Sequence, residues 1–482
     1  MLDAFRTAGL MTRMPPVTLS DTMFSTPAVA RAMSDERHLA ALVSFEAALA
    51  QAEGAIGVIS PEAAAAISRA LETFQPPEGE ARAALFVDAA KAGTIIVPFV
   101  KLLTRHVGAF ASEASGFVHF GATSQDVIDT AHVLQIREAV ASVAADLSRL
   151  VAAAATLARA HRDTVMLART LLQPATPIPF GLKAAQWLAG AIDAFERVER
   201  DASHALVLQF GGAAGSLGSL GDKGSAVAAA LARELDLPFP ALPWQTRRGA
   251  MAGLGASLAI ACGHAGKIAR DISLMMQFEL GEVAEPSGEG RGGSSAMPHK
   301  RNPVRCMVAL ANATRAPGLA ATLLAGLVEE HERALGPWQA EWAVWPALLG
   351  CTAGGVAAMA DTLEGLEVDP RRMAANLAAL RGLPMTETIS LALAPKLGKT
   401  AGHAAVERAA KAAVADGIPL AEALSRDAAL ANVLTGDEIA ALTDVARARG
   451  ASDRFIDAAL SRADELLAKR RALAGSHRRL FP

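Results

Sequence analysis

The stretch EPSGEGRGGSSAMPHKRNP, residues 285–303, carries the strongest functional signal in the sequence. Glycines at positions 288, 290, 292 and 293 give its backbone high conformational freedom. The hydroxyls of Ser294 and Ser295 follow at once, and the ammonium group of Lys300 comes shortly after them. Flexible glycines before a hydroxyl and a cation favour a loop that closes as a lid over an anionic ligand. A disordered surface linker is the alternative interpretation.

The composition of the whole chain favours a helix-dominated protein. Hydrophobic residues make up 52% of the 482 residues and aromatic residues only 4%, because much of the apolar content is alanine, the best helix former. The length suggests two or three domains. The formal charge is 46 basic minus 49 acidic residues, or −3, which gives no reason to expect nucleic acid or an anionic membrane as a partner.

The clearest helical segment runs from about Asp126 to His161. Its apolar residues recur at alternating steps of four and three, the pattern of a heptad seam: Ile136, Val140, Val143, Leu147, Leu150, Ala154 and Leu157. A helix of this length is a rod of about 50 Å. Similar stripes begin at Leu188 and Ile268, so the sequence predicts a bundle of long, nearly parallel helices.

Local signals place the helix starts and the domain boundaries. Ser34, before two acidic residues, and Ser60, before Pro61, are predicted N-caps. Signals for β-strands are weak, and no hairpin is predicted. The sequence predicts an N-terminal helical domain over residues 1–115, a central long-helix bundle over 116–365 and a C-terminal helical domain over 366–482.

Two apolar stretches are long enough to consider as membrane spans, Trp342 to Ala360 and Gly249 to Gly266. Both contain glycines, and the first also contains Pro346. We interpret them instead as helices surrounded by protein on every side, in a large bundle shared between subunits. No membrane partner is expected.

The three cysteines, Cys262, Cys306 and Cys351, are far apart and odd in number. This spacing predicts neither a disulfide framework nor a zinc site, and it fits a reducing cytoplasm. The glycine-rich segment of residues 211–224 superficially resembles a phosphate loop. Its lysine, however, does not directly follow the glycine as that motif requires, so a structural turn between long helices is the favoured interpretation.

The word GSSxMPxKxNP within residues 285–303 is a signature of the fumarase/aspartase superfamily. HFGATSQDVIDT, residues 119–130, resembles the first motif of that superfamily, and ARTLLQPATPIPFG, residues 168–181, resembles the second. The resemblance implies an all-α, three-domain fold whose central helices assemble into the core of a homotetramer. It further implies active sites shared between subunits, a small polycarboxylate substrate, and neither a metal nor an organic cofactor.

The resemblance also assigns the site. Ser294 would exchange the proton on the carbon next to a carboxylate, Lys300 would help to activate it, and His119 would orient or protonate the substrate. Lys300 and Asn302 would bind a substrate carboxylate, Thr123 and Ser124 would donate hydrogen bonds to another, and Gln173 and Ser295 would also contact the substrate. The developing negative charge of such a reaction needs donors and a cation, which these residue types supply.

One position separates this chain from most lyases of the superfamily. Their second motif reads RTH, with the histidine as the acid for the leaving group, whereas this chain has Leu171 after Arg169 and Thr170. Leucine cannot transfer a proton, but a carboxylate leaving group needs none. The sequence therefore resembles the cycloisomerase branch, in which a carboxylate of 3-carboxy-cis,cis-muconate adds to a double bond and closes carboxymuconolactone during protocatechuate degradation.

The segment HERALGPWQAEW, residues 331–342, favours the same branch and offers Arg333 as a carboxylate ligand. Trp338 and Trp342 could line the site, although ordinary helix packing is the more common role of such residues. Two alternatives remain open at this point. One is adenylosuccinate lyase or another fumarate-releasing lyase, and the other is a helical scaffold without catalytic activity.

Overall fold

The computed structural model describes residues 18–288, 292–293, 297 and 299–475 of the chain. Ser294 and Ser295 of the predicted lid lie outside the described residues. From residue 18 onwards, six α-helices precede the long helix of the bundle: α1 Leu19–Phe24, α2 Pro27–Ala32, α3 Asp35–Ile56, α4 Pro61–Glu72, α5 Gly79–Ala92 and α6 Ile96–Phe110. Both predicted N-caps are confirmed, since Ser34 accepts a hydrogen bond from the amide of Arg37 and Ser60 accepts one from that of Ala63.

Five long helices form the central bundle. They are α7 Ser124–Ala160, α8 Phe180–Ala205, α10 Gly249–Met275, α11 Val304–Ala325 and α12 Pro337–Glu364. The shorter α9, Gly224–Leu235, packs against α3. Each of the seven predicted seam residues of α7 is at least 93% buried. Helix α7 packs against α8 and α12, and α10 packs against α8, α11 and α12. The predicted bundle and the all-α class are confirmed.

A β-hairpin, which the sequence did not predict, joins α7 to α8. Strand β1, Val165–Thr170, pairs antiparallel with β2, Gln173–Pro179. Leu171 and Leu172 form the two-residue turn with φ values of 50° and 63°. Turns of this kind usually carry asparagine or glycine, because other residues are strained at positive φ. The pair Leu171–Leu172 therefore carries no recognisable hairpin signal.

A second, minimal ladder pairs β3, Val283–Ala284, with β4, Glu367–Val368. The C-terminal helices follow it: α13 Pro370–Ala378, α14 Thr386–Leu397, α15 Lys399–Asp416, α16 Leu420–Arg426, α17 Gly436–Thr443 and α18 Ser452–Gly475. Helices α14 to α17 bury a small apolar cluster of their own. Helix α18 returns to pack on α7 and α8. The predicted boundaries near residues 115 and 365 stay a prediction, although the second falls at the end of α12.

Among the residues that the structure describes, three helices are long and apolar enough, by length and composition alone, to cross a membrane: α3, α7 and α12. Within these helices the apolar windows are 67%, 56% and 78% buried inside the protein. The apolar surface of α12, which contains the stretch from Trp342 to Ala360, is therefore largely covered by neighbouring helices, as the sequence interpretation required.

Candidate active site

His119 lies in the turn before α7 and is held by a buried carboxylate. Its backbone has a φ of 63°, and its Nδ1 lies 2.7 Å from Oε1 of Glu46 on helix α3. Burial by itself would lower the pKa of the His119 imidazole. The Glu46 carboxylate outweighs burial through its charge and its hydrogen bond, and the pKa is raised above its usual value. His119 is thus oriented and biased towards the protonated, proton-donating form.

Thr123 and Arg333, 210 residues apart in sequence, meet at the N-terminus of α7. The guanidinium of Arg333 donates to the Thr123 hydroxyl at 3.0 Å and to the carbonyl of Ala213 at 2.9 Å. Ser124 is the first residue of α7 and is half-buried. The structure therefore gathers His119, Thr123, Ser124 and Arg333 around one helix N-terminus, where a substrate carboxylate is favoured.

Asp126 fixes the glycine-rich segment against this helix end. Its carboxylate accepts hydrogen bonds from the amides of Gly211 and Gly212, each at 2.9 Å, and from the Gln209 side chain at 3.2 Å. Burial raises the pKa of Asp126 to about 6, although these donors act in the opposite direction. Residues 211–224 connect α8 to α9 and include a 3-10 helix, Gly218–Lys223, and Ala213 of this connection also contacts Arg333.

A buried ion network lies one turn further along α7. Arg248 donates to both oxygens of Asp129, at 2.7 and 3.1 Å, and to Glu341 at 3.0 Å. The indole of Trp338 donates to Asp129 at 3.0 Å, and its ring meets that of Trp342 edge-on at 5.0 Å. Trp338 is 96% buried, so its role is to pack and to hold this network in place.

The third motif lies at the opposite end of the bundle. Lys300 is exposed and Asn302 half-buried in the segment that leads into α11. The Asn302 amide donates to the carbonyl of Gly292 at 2.9 Å, and Arg301 pairs with Glu367 at 2.8 Å. The first contact joins the two described flanks of residues 294–296 to each other, and the second ties them to strand β4.

The second motif forms the hairpin at this same end. Gln173 is exposed next to the turn, and Leu171 is 97% exposed. Arg169, by contrast, is held by a bidentate ion pair with the buried Glu282, at 2.7 and 2.9 Å. Arg169 is therefore a structural anchor for the hairpin.

The helices set the distance between the two ends. Thr123 precedes the 37-residue helix α7, which spans about 55 Å, and the hairpin follows its C-terminus. Helix α10 starts beside Asp129, because Arg248 precedes it, and runs to the region of Glu282. One chain consequently brings together His119, Thr123, Ser124 and Arg333, and it holds Gln173, Lys300 and Asn302 at the far end.

Within the described ranges, no three histidine, cysteine, aspartate or glutamate side chains are grouped so as to hold a metal ion. The three cysteines are free and buried. Burial raises the pKa of the Cys262 thiol to about 12.

Comparison with known proteins identifies the family. A profile described as Lyase matches residues 23–318, and one described as adenylosuccinate lyase C-terminus matches residues 382–459. The chain belongs to the lyase family of the fumarase/aspartase superfamily. The first match covers all three motifs, and the second covers the part of the chain whose sequence carried no motif.

Individual relatives of this lyase are similar over nearly their whole length. A 3-carboxy-cis,cis-muconate cycloisomerase from Bradyrhizobium diazoefficiens is 49% identical over 437 residues, which are 90% of this chain and 96% of that protein. One from Pseudomonas aeruginosa is 43% identical, covering 94% and 97%. A nitrosuccinate lyase from Streptomyces davaonensis is 39% identical, covering 94% and 96%.

Solved structures agree with these similarities. The crystal structure of the 3-carboxy-cis,cis-muconate lactonizing enzyme from Pseudomonas putida superposes with a TM-score of 0.85 at 39% identity, covering 93% of this chain and 99% of that one. A fumarate lyase from Mesorhizobium superposes with a TM-score of 0.83 at 37% identity, covering 91% and 98%.

Sequence reasoning missed two groups that shape the site of this lyase. Glu46 interrupts the apolar stripe of α3 next to Phe45, and an acidic residue at a core position was the available signal. Arg248 and Glu341 offered no such signal, because their pairing depends on the docking of α12 against the start of α7 and α10.

Proposed function

We propose that this lyase interconverts 3-carboxy-cis,cis-muconate and carboxymuconolactone, and so acts in the breakdown of protocatechuate. The carrying observation is the set of relatives named 3-carboxy-cis,cis-muconate cycloisomerase, up to 49% identical over 90% of the chain. Leu171 supports it, because a leucine at the usual histidine position suits a reaction whose leaving group is a carboxylate.

The reaction is an isomerisation in which no atoms are lost. One carboxylate oxygen of the substrate bonds to a carbon of the double bond, and the other carbon, next to a second carboxylate, takes up a proton. Negative charge builds up on that second carboxylate before protonation, so nearby cations and donors lower the barrier. In the reverse direction the same proton is removed and the lactone oxygen leaves as carboxylate.

We assign the roles accordingly. Arg333, Thr123 and Ser124 bind one substrate carboxylate at the N-terminus of α7. Lys300 and Asn302 bind the carboxylate that takes up the developing charge, and Ser294 exchanges the proton. The remaining assigned contacts come from His119, which donates a proton or a hydrogen bond from its ring, and from Gln173 and Ser295.

An absorbance assay tests the activity. Purified enzyme is expected to remove the diene absorbance of 3-carboxy-cis,cis-muconate at a typical enzymatic rate, about 10 per second, and to leave adenylosuccinate and nitrosuccinate unchanged. Turnover of either of these without turnover of the muconate would contradict the proposal, and the substrate that reacts would identify the correct branch of the family.

The proposed site residues lie in two groups at opposite ends of the long helix bundle. A site that needs both Thr123 and Lys300 cannot form within one chain whose helix α7 spans about 55 Å. We propose that neighbouring subunits lie with their bundles antiparallel, so that the hairpin and the third motif of one chain reach the N-terminus of α7 in another, in a homotetramer.

Mixing two inactive variants tests this arrangement. His119→Asn and Lys300→Ala damage opposite ends of the chain, so each alone is expected to be inactive. When equal amounts are unfolded and refolded together, about a quarter of the sites should receive both intact ends, and activity should return to about that fraction. The matched control mixes His119→Asn with Thr123→Ala, which damage the same end. Full inactivity of both mixtures would contradict shared sites.

A further inference from the structure

Two glutamates of helix α3 are buried in the core behind His119. Glu46 is 2% exposed and Glu53 is fully buried. They are seven residues apart, which places them two turns apart on the same face of the helix. Nothing in the proposed reaction uses Glu53, and full burial of an acidic side chain requires a physical explanation.

Their carboxyl oxygens are largely without hydrogen-bond partners. Oε1 of Glu46 accepts from His119, but Oε2 of Glu46 and both oxygens of Glu53 have no partner among the described residues. Two ionised carboxylates in such a place would each lose their hydration and would repel each other. Burial, followed by the negative charge of Glu46, raises the pKa of Glu53 to about 8.

Apart from His119, the elements packed against α3 supply no cation to this pair within the described part of the chain. From α7, Asp126 is bonded to Gly211 and Gly212, Asp129 is bonded to Arg248, and His132 stacks against His38 at 4.9 Å. Lys223, just before α9, donates to the carbonyl of Gly57. The charged side chains of α4 and α9 are all exposed: Glu62, Arg69, Glu72, Arg233 and Glu234.

We propose that Glu46 and Glu53 form a buried carboxyl pair that holds a single proton, carried by Glu53, and that this pair sets the protonation state of the catalytic His119. A neutral Glu53 removes the repulsion that two buried, ionised carboxylates largely without hydrogen-bond partners would exert on each other. Glu46 then keeps one negative charge, directed at Nδ1 of His119. Both glutamates are positioning residues, because neither touches the substrate.

This arrangement fixes the tautomer of His119. With Nδ1–H donated to Glu46, Nε2 is the ring nitrogen left to exchange a proton with the substrate. Ionisation of Glu53 would place a second negative charge behind Glu46. The imidazolium of His119 would then be stabilised further, and the enzyme would behave differently on either side of the pH at which Glu53 ionises.

Infrared spectroscopy tests the location of the proton. The difference spectrum of the parent minus Glu53→Gln at pH 7 is expected to contain the carbonyl stretch of a protonated carboxylic acid. Glu62→Gln, which changes an exposed glutamate of α4, is the control and should remove no such band. Absence of the band from the Glu53→Gln difference would overturn the proposal, because Glu53 would then be ionised.

Nuclear magnetic resonance of histidine-labelled protein tests the coupling, with His119 assigned through the His119→Asn variant. Glu46→Gln is expected to lower the pKa of His119 by about one unit, since its charged partner is lost. Glu53→Gln should leave that pKa unchanged below pH 7 and remove a second inflection near pH 8. An unchanged His119 titration in Glu46→Gln would overturn the coupling.

The pH dependence of kcat is a third measurement, and only this one rests on the function proposed above. Glu46→Gln is expected to lose at least about tenfold in kcat, with its pH profile displaced to lower pH. Glu53→Gln should match the parent at pH 7 and differ from it only above pH 8. If the enzyme did not turn over the muconate, the spectroscopic results would still decide the protonation proposal.

Discussion

Replacing Ser294 by alanine is expected to reduce turnover of 3-carboxy-cis,cis-muconate by about three orders of magnitude, within the range for loss of a positioned proton-transfer group. The superfamily signature assigns this hydroxyl the proton exchange at carbon, a step that neither Lys300 nor Asn302 replaces in the proposed mechanism. Binding should change little, because Lys300, Asn302 and Arg333 retain their charges and donors. The effect should therefore fall on kcat.

The comparison variant is Ser287→Ala. Ser287 lies in the same stretch of residues 285–303, is exposed, and its amide contacts Glu367. This variant should keep parental activity, and both variants should keep the helical circular dichroism and oligomer size of the parent. If Ser294→Ala retained activity within about tenfold of the parent, another group would carry the proton, and the assignment by motif would be wrong.

Replacing Arg333 by alanine is expected to lower kcat/KM by about a hundredfold, which corresponds to the loss of one or two charge-assisted hydrogen bonds to a substrate carboxylate. Bonds to Thr123 and Ala213 already hold the guanidinium in place, so it is oriented before substrate arrives. In contrast to Ser294→Ala, much of this loss should appear as an increase in KM.

Arg333→Lys should recover only part of the loss, because an ammonium keeps the charge but not the planar fork of donors. Glu332→Gln is the matched control, since Glu332 is the exposed neighbour of Arg333, and it should be close to neutral. Parental KM for the muconate in Arg333→Ala would show that Arg333 serves only to tie the loop of Ala213 to helix α7.

The sequence was most informative where local rules suffice. The heptad seam of α7 predicted a helix from about Asp126 to His161, and the helix spans Ser124–Ala160, because helical periodicity is a property of neighbouring residues. The caps at Ser34 and Ser60 followed from the same kind of local chemistry. The hairpin at Leu171 and Leu172 was missed, because its turn lacks the usual glycine or asparagine.

For the candidate site, too, local motifs named individual residues, and only the structure showed which of them meet. Motif matching named Thr123 and Arg333 separately, and the structure joined them at 3.0 Å. Neither Glu46 nor Glu53 was predicted to be functional, since their significance depends on burial and on contact with His119, 73 residues beyond Glu46. Motif matching also did not show that Gln173 and Lys300 lie at the other end of the bundle from Thr123.

By itself, then, the sequence determined the family, the helical class and the types of residue available for catalysis, because motifs and helical periodicity depend only on residues that are close together in the sequence. Only the tertiary structure decided which of those residues meet and which groups control them. The physical reason is that long rigid helices carry neighbouring motifs tens of ångströms apart, as α7 does over about 55 Å, while packing brings α3, α7 and the segment around Arg333 to a single point.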